Sequence, residues 1–187
     1  MGTNPISDEA RELPREPAAR WIVGCFIASA VLWLGVLAWQ VIALPEMLPV
    51  QFDFSGEPTS WWGKASALGF VILMAAVLVL PAATVPGLVF RAPRSISAPN
   101  SDWWTATPRR LRRFERLLRE DLLLLAVSCL ALLAVGQVGM TLAANSADHA
   151  LPVAVQIAFV VPVLGMIVVV IRMVGGGGRY DRQAGLE

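Results

Sequence analysis

Charge is scarce in this chain, and it is missing from the places where ion-coupled chemistry would need it. Of 187 residues only 16% are charged and 56% are hydrophobic. Mean hydropathy is +0.63, which leaves too little polar surface for a soluble domain of this length. Four long stretches hold no Asp, Glu, Lys or Arg near their middles, where secondary pumps and proton relays keep an ionisable group. Histidine is equally short. His149 is the only one, beside Asp148, and one histidine with scattered acids makes no donor set for a metal. No Ser/His/Asp or Cys/His spacing is present. The expectation is a non-enzymatic protein with no catalytic residue, metal or cofactor.

Cysteine is limited to Cys25 and Cys129, both inside apolar runs, and both read as small buried thiols. "IVGC" ending at Cys25 imitates a lipoprotein cleavage site, but no hydrophobic signal core precedes it. "MGTNPI" opens like a myristoylation signal, yet Ile6 stands where Ser or Thr is required. Lysine is confined to Lys64, while arginine, Ala, Leu, Val and Gly abound, a bias that fits a GC-rich bacterial genome.

What the chain has in quantity is apolar sequence of spanning length. Trp21 to Leu44, Ala65 to Phe90, Leu122 to about Ala144 and Leu151 to Ile171 are uncharged and long enough to cross a bilayer at 1.5 Å per residue. Arginine sorts around them. Arg11, Arg15 and Arg20 precede the first span, eight arginines between Arg91 and Arg119 separate the second from the third, and Arg172, Arg179 and Arg182 follow the fourth. The positive-inside rule then puts both termini in the cytoplasm. The fold expected is an all-α integral protein of the inner (plasma) membrane with four transmembrane helices and a short amphipathic interfacial helix before the third.

The chain divides accordingly. Residues 1–20 form a polar, proline-bearing tail read as disordered. Residues 21–90 are a two-helix unit enclosing the loop 45–64. Residues 91–121 are a basic connection, 122–172 a second helix pair, and 173–187 a flexible glycine-rich tail. In the basic connection, Thr107 and Pro108 open a helix, with Leu111, Phe114, Leu117 and Leu118 on one face. Such a segment suits the inner membrane surface or a docking site for a cytoplasmic regulator. The charge is explained by topology, so nucleic acid is not an expected partner. Within the spans, Gln40, Gln137 and Gln156 either bond helix to helix or line a polar cleft opening outward. Pro81 and Pro86 should bend the second span and Pro162 the fourth.

The loop "LPEMLPVQFDFSGEPTSWWGK" carries more chemistry than a spacer needs. Pro45 and Pro49 stop the first helix. "PVQFDF" alternates, with Val50, Phe52 and Phe54 opposite Gln51 and Asp53, the period of an extended segment. Gly56 with Glu57 and Pro58 makes a turn, Thr59 or Ser60 caps the next helix, and Trp61 and Trp62 suit the aromatic belt. Lys64 lies at a helix amino end, where the dipole disfavours a cation. A carboxylate partner, Asp53, Glu57 or Glu46, would resolve that.

Leu44, Pro45, Pro49, Gly56 and Lys64 resemble the signature of the domain of unknown function 1648 family, found in bacterial membrane proteins related to the Sdp toxin immunity protein. Two positions depart from its pattern. Gln51 replaces a histidine and Thr59 an Asp, which weakens any carry-over of a proton- or metal-dependent role. The resemblance covers the first two spans. It implies immunity against an external membrane-active peptide, or sensing of it with signalling to a cytoplasmic repressor. The function expected is therefore a receptor or immunity-type protein acting on an external peptide or lipid. The alternatives are an accessory subunit of a transporter or a membrane assembly protein. Partners expected are membrane lipids, that peptide, a cytoplasmic regulator and further copies of the chain.

Overall fold

The computed structural model describes residues 5–93, 96, 98–175 and 179–186. A short helix, α1 (Pro5–Glu12), leads to α2 (Arg20–Ala43). That helix stops because Leu44 precedes Pro45 and takes an extended conformation, φ −80° and ψ 138°, as a pre-proline residue must. A hairpin follows, β1 (Met47–Phe52) antiparallel to β2 (Pro58–Gly63). Then come α3 (Lys64–Leu88), the single turn α4 (Ser101–Trp104), α5 (Pro108–Ala144), α6 (Val153–Ala158), α7 (Val160–Val174) and a 3-10 turn at Ala184–Leu186.

The long α5 is the pillar of the fold. It packs against α2, α3, α7, α1 and the hairpin. Trp33 of α2 sits among Ala75 of α3 and Leu130 and Ala134 of α5, where small residues let the helices approach. Away from α5 the helices are apolar and uncovered: Leu32 and Ile42 on α2, Leu73 and Leu80 on α3, and Val161 and Val168 on α7 are all exposed. Apolar surface this continuous belongs against lipid. Four segments, Arg20–Ala43, Lys64–Leu88, Pro108–Ala144 and Val153–Val174, are long and apolar enough to cross a membrane. The chain has the architecture of a multi-pass membrane protein. Cys129 is buried in it, whereas Cys25 lies on the exposed face of α2, contrary to the reading of both as buried thiols.

The prolines of the spans act locally. Pro81 and Pro86 stay within one continuous α3. In the fourth segment the helical pattern lapses at Phe159 alone, whose backbone stays helical at φ −61° and ψ −26°, because Pro162 has no N–H to offer the carbonyl of Ala158.

The segment before the third span also differs from expectation. Thr107 caps it as anticipated, accepting from the Arg110 N–H at 3.4 Å, but no separate interfacial helix forms. The helix runs unbroken for 37 residues into the span, and its apolar face meets protein rather than lipid. Leu111, Phe114 and Leu117 are buried with Ala10, Trp104 and Tyr180. The described parts of both tails, from Pro5 and from Arg179, are drawn onto it, in place of the disorder expected of the amino tail and the looseness expected of the carboxyl tail. From the amino side, Arg112 donates to the carbonyls of Arg11 and Leu13 at 3.0 and 2.6 Å. Glu16 meets Arg113 at 2.9 Å and Arg116 at 3.3 Å. From the carboxyl side, the Tyr180 hydroxyl donates to Asp121 Oδ2 at 2.7 Å. Arg179 reaches both Glu120 and Asp121. Arginines that composition assigned to headgroups are thus spent on the chain's own carboxylates and carbonyls. Of the glycine run, residues 176–178 lie outside the described residues.

Candidate functional site

The hairpin is fixed at its turn, its base and its flank. At the turn, Asp53 Oδ1 accepts from the Ser55 N–H at 2.9 Å, the Ser55 hydroxyl at 2.6 Å and the Glu57 N–H at 3.0 Å. Those bonds, the Ser55 hydroxyl first, hold the Asp53 carboxyl below its ordinary pKa of 3.8. Gly56 follows with φ +89°, a conformation that a side chain makes costly. Space forbids a side chain there as well: a Cβ would lie 2.8 Å from Gln156 Nε2 and 3.1 Å from the Leu151 carbonyl oxygen. The turn therefore rests directly on the connection before α6, and the Leu151 N–H donates to the Gly56 carbonyl at 2.9 Å.

At the base, Lys64 departs from the expected ion pair. Among the described residues it meets no carboxylate, and its Nζ donates to the Leu44 carbonyl at 3.0 Å. The physics is a transfer between helix ends. A cation is disfavoured at the start of α3, but its long stem carries the charge to the carboxyl end of α2, where the dipole favours it. Leu44, Leu48 and Pro49 are buried beneath, with Ala67, Met140 and Ala144 around the leucines.

On the flank, Trp61 meets the edge of His149 at 5.0 Å between ring centroids, and Trp62 meets Phe70 at 5.4 Å. His149 Nδ1 lies 3.2 Å from the Ala143 carbonyl oxygen. Thr59 and Ser60 do not cap α3. They lie in β2, and the residue ahead of α3 is Gly63, which makes no side-chain cap.

Under this roof lies a cavity of about 580 Å³, within the range of small-ligand sites. The hairpin contributes Val50, Gln51, Phe52, Asp53, Phe54 and Trp62; α3 contributes Phe70 and Val71; α5 contributes Leu132, Leu133, Gly136, Gln137 and Met140; and Leu151, Gln156 and Phe159 close the far side. Phe159 turns its ring toward the bare Cα of Gly136: a Cβ there would stand 3.7 Å from its Cζ.

The three glutamines are not one cluster. Gln137 Nε2 donates to Gln40 Oε1 at 2.7 Å, and Gln40 Nε2 donates to the Gln137 carbonyl at 2.9 Å and to Thr141 Oγ1 at 3.0 Å. Gln40 is fully buried and serves as a tie between α2 and α5. Gln156 stands apart, its Nε2 donating to the Leu151 carbonyl at 3.0 Å. Gln137 holds the polar interest of the wall. Its residue is buried, and its Oε1 has no hydrogen-bond partner among the described residues.

Of the residues singled out from sequence, Gln51, Asp53, Trp62, Gln137 and Gln156 line the cavity. Pro45, Pro49, Gly56, Glu57, Trp61, Lys64 and Gln40 shape or support its roof and frame without lining it. Phe70, Gly136, Leu151 and Phe159 were missed. Among the described residues, no three His, Cys, Asp or Glu side chains gather as metal ligands.

No curated protein and no solved structure matches the chain. The family model described as Domain of unknown function (DUF1648) matches residues 22–75, so the stretch from α2 through the hairpin into α3, with Leu44, Pro45, Pro49, Gly56 and Lys64 inside it, is the domain that the loop motif resembles.

Proposed function

We propose that the protein is a non-catalytic receptor or immunity-type protein of a bacterial inner membrane. It takes an external, membrane-active peptide in the cavity beneath the hairpin. The arginine distribution supports cytoplasmic termini by the positive-inside rule, which turns the hairpin outward. The observation that carries the reading is an apolar, aromatic cavity whose hairpin wall also presents the exposed side chains of Gln51 and Asp53. Their oxygens accept hydrogen bonds, so the wall suits a ligand that carries N–H donors beside apolar groups. A peptide offers such donors along its backbone beside apolar side chains, and a bare hydrocarbon offers none.

The test is survival of sensitive bacteria challenged with a membrane-active peptide while expressing the chain. Expression should protect, and Gln51→Leu, which keeps size and removes an acceptor from the wall, should reduce protection while protein level holds. Equal survival with and without the chain, across a panel of such peptides, would overturn the reading.

A further inference from the structure

A second cavity lies at the opposite end of the bundle, where the chain termini meet, and neither the motif loop nor the proposed function uses it. Its volume is about 470 Å³, and its lining is aliphatic and aromatic, including Val85 and Leu88 of α3, Leu118 of α5, and Met173 and Tyr180 of the last span and tail. Val85, Leu88 and Met173 belong to the last turns of two candidate spans. The cavity therefore sits where spans end and headgroups begin, and the docked tail supplies one wall. Tyr180 is held there by its hydroxyl on Asp121 at 2.7 Å and by the Trp104 indole N–H on its carbonyl at 2.9 Å. Burial and the neighbouring Asp121 raise its pKa, so the phenol stays neutral and the wall stays apolar.

We propose that this cavity binds one acyl chain of an anionic phospholipid from the adjacent leaflet. At about 30 Å³ for each water-sized group it holds a hydrocarbon chain on the order of fifteen carbons. Basic residues next to its lining in the chain favour an anionic headgroup. Most arginines of this end are committed, Arg112, Arg113, Arg116, Arg119, Arg172 and Arg179 each bonding a carboxylate or a carbonyl. Arg91, next to the lining residue Ala92, and Arg182, two residues beyond Tyr180, are exposed. Neither has an ion-pair partner among the described residues. Asp181, the acid nearest to Arg182 in the chain, accepts from Asn100 Nδ2 at 3.4 Å. The lipid thus has a socket for its tail and two free cations for its phosphate.

Native mass spectrometry of the full chain, released from phosphatidylcholine nanodiscs containing phosphatidylglycerol, tests this. One phosphatidylglycerol should stay bound, in preference to phosphatidylcholine. Ala92→Trp, at an exposed position on the cavity wall, should abolish that retention with the thermal midpoint unchanged. Arg91→Gln and Arg182→Gln should each weaken it by about fivefold, and both lie on the surface, so they decide the matter even if the tryptophan variant misfolds. Undiminished retention in Ala92→Trp, equal retention of phosphatidylcholine, or no effect of the arginine variants would each overturn the proposal.

Discussion

The two ends of this bundle are held together by different physics. At the termini end, Asp121 is fully buried between Arg172 at 3.0 Å, Arg179 at 3.3 Å and the Tyr180 hydroxyl. Glu120 joins Arg116, Arg179 and the N–H of Ala19. Charges removed from water in this way tie both tails and three helices into one network. Losing any member strands the others. At the loop end the ties are uncharged or local and mostly aimed at the backbone: Lys64 on Leu44, Leu151 on Gly56, Asp53 on its own turn, and the Gln40–Gln137 amide pair below. Each contributes little and constrains little beyond its neighbours. The difference assigns roles, with a cross-braced anchor at one end and, at the other, a light roof able to adjust over a cavity.

The sharpest way to break this comparison is to cut one tie at each end. Asp121→Ala leaves two guanidinium groups without their buried partner and should cost about 3–5 kcal/mol, read as a fall in thermal midpoint in detergent. Gly56→Ala combines positive-φ strain with a clash against Gln156 and should cost about 2 kcal/mol. That loss should appear as faster proteolysis of the hairpin, with the termini end unchanged. If Gly56→Ala destabilises the whole chain as much as Asp121→Ala does, the two ends are not distinct.

Lys64→Met removes a cation from the end of α2 and should cost about 1 kcal/mol. Combining it with neutralisation of Glu46, Asp53 or Glu57 sharpens the point. The effects should add, because Lys64 bonds a carbonyl and no carboxylate. Coupling with any of the three acids would restore the ion pair that charge alone suggested.

Acid is the gentlest probe. Asp53 has a folded-state pKa below its ordinary 3.8, so its contribution to the turn is complete above the unfolded value and is lost only as pH falls through the folded one. Amide exchange at Ser55 and Glu57, corrected for its intrinsic pH dependence, should show constant protection from neutrality down to about 3.8. A loss beginning near neutral pH would contradict this.

These residues also show where sequence stops informing. Uncharged runs set the spans, because the bilayer tolerates little else, and Thr107–Pro108 is a local signal that the fold keeps. "PVQFDF" marks the strand but not its period, since the register slips on either side of Gln51 and β1 ends at Phe52, ahead of the exposed Phe54. The partner strand β2 was concealed by Trp61 and Trp62, which suit a membrane belt as well as a cross-strand face. Lys64 and Arg112 could not be read because their partners are carbonyls, which every residue possesses. Docking of the tails depends on distant contacts, Ala19 to Glu120 across 101 positions and Tyr180 to Asp121 across 59, and no local pattern records those. The cleft under the hairpin was half legible. Its glutamines were visible, but its far wall comes from Leu151 and Phe159, which no local pattern marks.

The central claim is that the cavity beneath the hairpin is where an external ligand sits. Gly136→Leu fills that cavity toward Phe159, whose ring a Cβ there already meets at 3.7 Å, and it should strengthen the helix locally by just under 1 kcal/mol. The decisive measurement is crosslinking in intact, peptide-challenged cells from a photoreactive residue at Phe52, in the natural and the Gly136→Leu backgrounds. A peptide adduct that forms in the first and vanishes in the second, at equal protein level, is the predicted result. An adduct of equal yield in both, or none in either, would contradict the account.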